Sequence, residues 1–508
     1  MQSAENIALL FTINDKYCII NEFRQSCGKN TESDTYMDNK LEKKYGLFTA
    51  ICMVAGCVIG SGVFFKATAV LKNNSGNMVN SLLTVAAVGL LMMICTYTFS
   101  ILAQKYEKVN GIVDYAEASC GKTFAYFCGW FIAMIYYPVI SSTLAWISAN
   151  YTLQLTGECP ILGTYTRLFL VVVFLISNYL LNIYAPKVAG KFQVSTTVIK
   201  LIPLFIMAIG GTIIGLINGQ TAETLTTPAT IETSGTGFLG AVVAFAFAYE
   251  GWIIATCINS EIRNSKRNLP LALVFGSIFT VAIYVVYFLG IASVLSANEI
   301  ISADDALPQT AFTALFGGNK IFGTIAYVFI IISCLGTMNG VMMGNCRSLY
   351  SIAVRGEGPM PEALAKLDKK SNMPIRASLI TIAIVFMWML QWEFCFWPSV
   401  TGGTPLLPEF FCFENDELPI ITLYGFYIPV FMKMMIVNKD LHPVKRFVFP
   451  ILSIIASLFM IYSAISAYKI QTLYYLTVFA IFMLVGVAFY RGKDGKAMYS
   501  KLISLFKK

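Results

Sequence analysis

Charge is scarce in this chain of 508 residues: Asp, Glu, Lys and Arg together make up 13%, against roughly 25% in a soluble domain. A surface that meets water needs charge to cover it, so the deficit argues against a cytosolic or secreted globular enzyme. Histidine is nearly absent. His442 is the single one, which argues against haem ligation by histidine pairs and against a histidine proton relay. No Gly-x-x-x-x-Gly-Lys-[Ser/Thr] phosphate loop occurs, and an ATP-driven pump is disfavoured accordingly. The 13 cysteines are odd in number and show no metal-type spacing, so neither a metal nor any other cofactor is expected. Cys52, Cys57, Cys95, Cys128, Cys257 and Cys334 fall in apolar stretches, where a thiol acts as a small apolar side chain. Cys395 and Cys412 share one loop and could pair, but the greater weight falls on two free thiols.

What the chain has in abundance is apolar sequence, 57% of its residues. A hydrocarbon-spanning helix needs about 20 apolar residues. Candidate spans lie near 46–71, 78–103, 121–153, 163–184, 192–217, 237–258, 270–297, 321–350, 376–397, 418–437, 447–468 and 472–490. The runs are continuous, whereas barrel strands would alternate. The expected fold is therefore an all-α integral membrane protein of about twelve transmembrane helices.

The net charge of +8 could suggest a nucleic-acid partner, but its placement points to the bilayer. With a cytoplasmic N-terminus, one side of the membrane collects Lys105, Lys122, Lys187, Lys191, Arg263, Lys266, Arg267, Arg347, Arg355, Lys366, Lys369, Lys370, Lys445 and Arg446, and then the basic tail 491–508. The other side holds Lys66, Lys72, Arg167, Lys320 and Lys469. Cytoplasmic loops retain Lys and Arg, so both termini are expected in the cytoplasm and the protein in the cell membrane. Residues 1–44 read as a disordered polar tail without a signal peptide, and Met37 is an alternative start. Residues 45–490 read as one transmembrane domain: spans 1–5 over 46–217, spans 6–10 over 237–437, spans 11 and 12 over 447–490.

Two spans carry interruption signals. Span 1 contains Gly60-Ser61-Gly62, and span 6 contains Phe247-Ala248-Tyr249-Glu250-Gly251-Trp252. Interrupted helices at corresponding positions of two halves mark a transporter binding site. Their separation by five spans suggests two five-helix repeats with two helices added. Glycines flanking a serine permit unwinding. Unwinding at mid-membrane frees N–H groups for a carboxylate and carbonyls for an ammonium, the two α-groups of an amino acid. The alternative is a small-residue packing face. Glu250 places a carboxylate at membrane depth, where it would bind a substrate ammonium, carry a proton or pair with a lysine. Lys200 in span 5 is the one basic residue that the sequence places well inside a span. It would stand where a coupling sodium ion sits, donate to freed carbonyls, lose its proton, or reach the interface.

With these residues in view, the chain resembles the amino acid–polyamine–organocation superfamily, and within it the bacterial relatives of the L-type amino acid exchangers. The carriers of the likeness are Val58–Phe65, Phe247–Trp252 running on to Glu261 and Leu269-Pro270, Val194–Pro203, and Gly336–Gly340 with Arg347–Tyr350. The resemblance covers about residues 44–490. It implies a LeuT-like 5+5 inverted repeat plus two extra helices, unwound spans 1 and 6, and alternating access. It implies that Ile59, Gly60, Ser61 and Gly62, with Phe247, Ala248, Tyr249 and Glu250, form the amino acid site. Lys200, Ser333, Thr337 and Tyr284 would couple and gate it.

Glu250 departs from the Gly-Gly that the L-type exchangers commonly carry there. The departure turns the expectation toward small polar, cationic or proton-coupled substrates. Cys159 lies where the animal exchangers tether a heavy-chain subunit, but coincidence is the favoured explanation and no such partner is expected. Glu261 and Arg263–Arg267 anchor the interface or form a cytoplasmic gate with Asp114 or Glu117. Phe247 reads as an aromatic gate and Trp252 as packing. The expected function is sodium-independent secondary transport of amino acids, by exchange or proton coupling. The alternative is a membrane amino acid sensor with a transporter-like fold. The expected partners are an amino acid, the lipid bilayer and, for a symporter, protons.

Overall fold

A computed structural model describes residues 41–491 apart from Ser61, 108–109, 157–159, 232–236 and 402–403. The tails 1–40 and 492–508, Ser61 and Cys159 thus lie outside the described residues. Among the described residues the regular elements are helices, with one backbone bridge between Tyr45 and Ile262.

Eleven helical stretches are long and apolar enough to cross a membrane. They are span 2 (Met78–Lys105), span 3 (Lys122–Thr156), span 4 (Tyr165–Tyr184), span 5 (Pro186–Asn218), span 6 (Phe238–Glu261), span 7 (Ser265–Ala292), span 8 (Lys320–Ala353), span 9 (Ile375–Cys395), span 10 (Pro419–Val437), span 11 (Val444–Tyr468) and span 12 (Ile470–Phe489). Span 1 is two shorter helices, Leu47–Val58 and Gly62–Asn73. Each has 12 residues, about 18 Å at 1.5 Å per residue. Neither alone crosses a hydrocarbon core of about 30 Å; together they do. The chain is a multi-pass membrane protein.

Local chemistry explains several features. Pro186 and Pro419 sit in the first turn of spans 5 and 10, where a missing N–H costs nothing. Pro203 lies inside span 5, and a π-helical turn follows at Ile206–Gly211. A proline removes one helical hydrogen bond, and the local rewinding absorbs it. Leu83, Ile209, Ile278 and Leu458 are exposed, as the lipid-facing side of a bundle requires. Spans 5 and 7 touch backbone to backbone: a Cβ on Gly290 would lie 2.2 Å from the Met207 carbonyl oxygen. Small residues permit that approach in membranes.

Three sequence expectations need correction. Lys200 is not the one basic residue deep in a span. Arg347, counted above with the basic residues of the cytoplasmic side, lies within Lys320–Ala353 and is 1% exposed. Arg167, 2% exposed, and the largely buried Lys66 also lie in helices, each against carboxylates of another part of the chain. Cys395 and Cys412, expected free, are joined by a disulfide with their Cα atoms 5.3 Å apart. The intervening loop folds back on span 9, where Gln391 Nε2 donates to Phe411 O at 2.6 Å. In addition, residues 41–44, expected in the tail, are placed and hydrogen-bonded: Glu42 N–H donates to Asn372, and Lys44 N–H to Glu261 O.

Arg167 and Glu393 tie span 4 to span 9 at 2.5 Å. Trp146 of span 3 donates to the second Glu393 oxygen at 3.0 Å and lies beneath the guanidinium at 5.4 Å. Glu393→Gln strands a buried arginine, a loss of about 3–5 kcal/mol. The expected result is a clear drop in melting temperature of the detergent-solubilised protein. Arg167→Met/Glu393→Met removes both charges and is expected to melt above Glu393→Gln.

Candidate functional site

Span 1 stops being helical at Ile59, whose ψ is 87°. Helix resumes at Gly62, and the intervening Ser61 is outside the described residues. The break leaves the last carbonyls of Leu47–Val58 without helical partners, and in a bilayer core each must find another. Lys200 Nζ from span 5 donates to Gly56 O at 2.8 Å and to Ile59 O at 2.6 Å. It also lies 3.3 Å from Ser333 O and 3.0 Å from Thr337 Oγ1, both of span 8. Ser333 Oγ donates to Gly60 O at 3.1 Å. Lys200 is fully buried, so it does not reach an interface.

Span 6 breaks opposite. Phe238–Ala246 is α-helical, Phe247–Tyr249 tightens to 3₁₀, Glu250 is extended, and a 3₁₀ stretch runs Trp252–Glu261. Gly251 sits at φ 105°, a region that costs other L-residues strain. A Cβ there would lie 2.8 Å from the Cys57 carbonyl oxygen, so glycine also permits the two broken helices to touch. Tyr284 of span 7 joins the breaks: its hydroxyl lies 3.0 Å from Val58 O and 3.1 Å from Ala248 O.

Between the breaks lies a cavity of about 20 Å³, room for about one water. Gly60, Gly62, Phe247, Ala248 and Glu250 line it, with Cys57, Ile140 and Thr337. Ile59 and Tyr249 adjoin it without lining it: Ile59 offers its carbonyl to Lys200, and Tyr249 packs on Tyr284 at 5.0 Å. Glu250 accepts from Tyr136 Oη at 2.7 Å. Tyr136 ends a π-helical turn, Ile132–Tyr136, in span 3. Such turns re-aim side chains at functional sites, and no residue pattern in the sequence singled this one out. Trp252 is fully buried and packs on Phe99 and Tyr427.

Below the cavity, on the side of Leu41–Tyr45, Glu261 gathers charge. It accepts from Arg347, with Nη2 at 3.0 Å, and from Lys44 Nζ at 3.5 Å. Its backbone carbonyl accepts from the N–H groups of Lys44 and Tyr45, and Arg263 N–H donates to Tyr45 O. Burial pulls the Lys44 ammonium below its ordinary range, with Glu261 opposing. Asp114 and Glu117, considered above as partners of this region, pair instead with Arg355. On the other side of the cavity Lys66 lies 5.5 Å from the Phe247 ring and pairs with Asp416 and Glu417. The sequence showed Lys66 only as one basic residue on the less basic side.

A family model described as amino acid permease matches residues 45–490. The serine/threonine exchanger SteT of Bacillus subtilis (strain 168) is 30% identical over 439 residues, 84% of this chain and 92% of that protein. The b(0,+)-type amino acid transporter 1 of Mus musculus is 25% identical over 474 residues, 92% of this chain and 91% of that protein. The cystine/glutamate transporter of Homo sapiens is 24% identical over 342 residues, 67% of this chain and 66% of that protein. These relatives are transporters rather than enzymes.

The Gly251 contact makes a sharp test. Gly251→Ala meets a left-handed backbone, worth about 1–2 kcal/mol, and a 2.8 Å approach to Cys57 O. The expected outcome is a lower melting temperature and loss of stabilisation by amino acids in a thermal-shift panel. A variant with the wild-type response would mean that the two breaks do not need their close contact.

Proposed function

The chain belongs to the amino acid permease family of the amino acid–polyamine–organocation superfamily, and we propose that it is a sodium-independent amino acid exchanger of the cell membrane working by alternating access. Amino acid transport itself follows from the family. The observation that carries the finer reading is the cradle of Lys200. Four oxygens, from Gly56, Ile59, Ser333 and Thr337, surround its ammonium within 3.3 Å. Carbonyls and a hydroxyl at the end of a broken helix are the ligand set a hard monovalent cation takes. A fixed ammonium fills the same electrostatic need, so transport needs no sodium ion. Exchange is favoured over proton symport because the relative with 30% identity is named an exchanger.

In this reading the α-carboxylate and α-ammonium of the substrate take the backbone groups at Ile59–Gly62 and Phe247–Tyr249. Peptide dipoles at two helix breaks match both charges of a zwitterion. The side chain points toward Glu250. A carboxylate held by Tyr136 favours a polar or cationic side chain over a large apolar one. The cavity of about 20 Å³ is too small for an amino acid, so binding requires spans 1 and 6 to part. The basic clusters favour cytoplasmic termini, with the Arg347–Glu261–Lys44 group as the inner closure. Neither a cofactor nor a heavy-chain subunit is part of the proposal.

Counterflow in proteoliposomes with all twenty amino acids, with and without sodium and a pH gradient, tests this reading. Accumulation is expected in sodium-free buffer, unaltered by a pH gradient. Strict sodium dependence would overturn it. Lys200→Ala is expected to lose transport by at least about tenfold, the equivalent of 1.4 kcal/mol, while still reaching the membrane. Glu250→Gln is expected to weaken polar and cationic substrates relative to apolar ones. An unchanged substrate profile between pH 5 and 8 would reduce Glu250 to a structural role.

A further inference from the structure

Lys66 sits one helical turn beyond the span 1 break, on the outer side in the orientation proposed above. Its ammonium lies over Phe247, which lines the cavity, and is held by Glu417 and, at 3.3 Å, by Asp416. Both acids belong to the loop that enters span 10. Tyr468, at the end of span 11, donates to Glu417. Asp416 is 8% exposed, and its Oδ1 is buried without a hydrogen-bond partner among the described residues. Nearby Glu414 is pushed up to about 8 by burial, then by the charges of Asp416 and Glu417. Burial raises Glu417 as well, with the Lys66 ammonium opposing, and Asp416 and Glu417 both lie within ion-pair distance of that ammonium.

The loop that presents these acids is tied to span 9 at several points, three of them near the acids. One is the Cys395–Cys412 disulfide. The others are Gln391 Nε2 to Phe411 O at 2.6 Å and Asn415 Nδ2 to Gln391 Oε1 at 2.5 Å. A cross-link restricts the conformations a loop must give up before it can act.

We propose that Lys66, Asp416 and Glu417 form an outer latch over the substrate cavity, and that the Cys395–Cys412 disulfide holds their loop in the position that closes it. The proposal rests on the exchanger reading for its orientation. Phe247 roofs the cavity and Lys66 packs on Phe247. When span 1 swings away, Lys66 leaves its carboxylates and the roof opens outward. When the loop is pre-positioned, the ion pair re-forms and shuts the site. Reduction from outside loosens the latch. An external dithiol gives two electrons and two protons, the Cys395–Cys412 bond becomes two thiols, and the dithiol closes to its own disulfide. The external face is the oxidising side, where such a bond persists.

Cys57 lines the cavity and is a free, buried thiol, so it reports opening. Full-length protein in proteoliposomes is exposed to a membrane-impermeant alkyl thiosulfonate from outside. Labelling of the Cys57 peptide is followed by mass spectrometry, with Cys57→Ser as the assignment control. Labelling is expected to be slow in the oxidised protein. It is expected to rise several-fold after treatment with dithiothreitol and its removal, in Cys395→Ser/Cys412→Ser, and in Lys66→Gln. The charge swap Lys66→Glu/Glu417→Lys is expected to restore slow labelling. Equal Cys57 labelling before and after reduction of the wild-type protein, which needs no variant to fold, overturns the disulfide's role. Equal labelling in Lys66→Gln with an unaltered melting temperature overturns the latch. Counterflow in the same vesicles reads the exchanger proposal separately, since its loss with latch-dependent labelling intact would sink that proposal alone.

Discussion

The structure depends on satisfying the peptide groups freed where span 1 breaks in mid-bilayer. An unpaired carbonyl in hydrocarbon costs several kcal/mol, and span 1 frees those of Gly56, Val58, Ile59 and Gly60. Their partners come from three other spans: Lys200 from span 5, Tyr284 from span 7, Ser333 and Thr337 from span 8. The broken helix is therefore a property of the bundle, not of its own twelve-residue halves. A cation is the natural keystone, because one ammonium offers three donors and a charge to oxygens that would otherwise repel one another. Gly251 completes the arrangement by letting span 6 approach the Cys57 carbonyl.

Paired charge flanks the cavity on both sides. On one side Glu261 binds Arg347 and Lys44; on the other, Asp416 and Glu417 bind Lys66. Buried ion pairs add little net stability, since desolvation offsets attraction, yet losing one partner is costly. That combination gives contacts that are either fully made or fully broken, which suits helices that alternate between two packings. Phe247 touches Lys66, and Tyr284 binds carbonyls of both broken helices.

Much of this was legible in the chain. Apolar runs gave the spans because the period and length of membrane helices are imposed by the bilayer itself. Gly60, Gly62 and Gly251 marked breaks: Gly251 takes a left-handed backbone that favours glycine, and a Cβ on Gly62 would come 2.9 Å from Ala248 Cα. Lys200 stood out because an ammonium within an apolar run has no bland explanation. Arg347, Lys66 and Tyr136 did not stand out. Arg347 and Lys66 lie near the ends of apolar runs, where a basic residue reads as an interface anchor. Tyr136 is one tyrosine among many until a π-helical turn aims it at Glu250. The Cys395–Cys412 bond is not legible in the sequence, because proximity across a loop is not written in sequence separation.

The sequence by itself determined the solvent of the fold, the approximate number and order of its helices, and the points at which two of them fail. Those follow from local rules: hydrocarbon demands apolar runs and internally paired backbone, and glycine relaxes both. The tertiary structure alone decided which donors meet the freed carbonyls, which carboxylate each buried cation takes, and how little space is left between the breaks. Residues hundreds of positions apart share those contacts, and burial strengthens or penalises each charge according to neighbours that no local window contains.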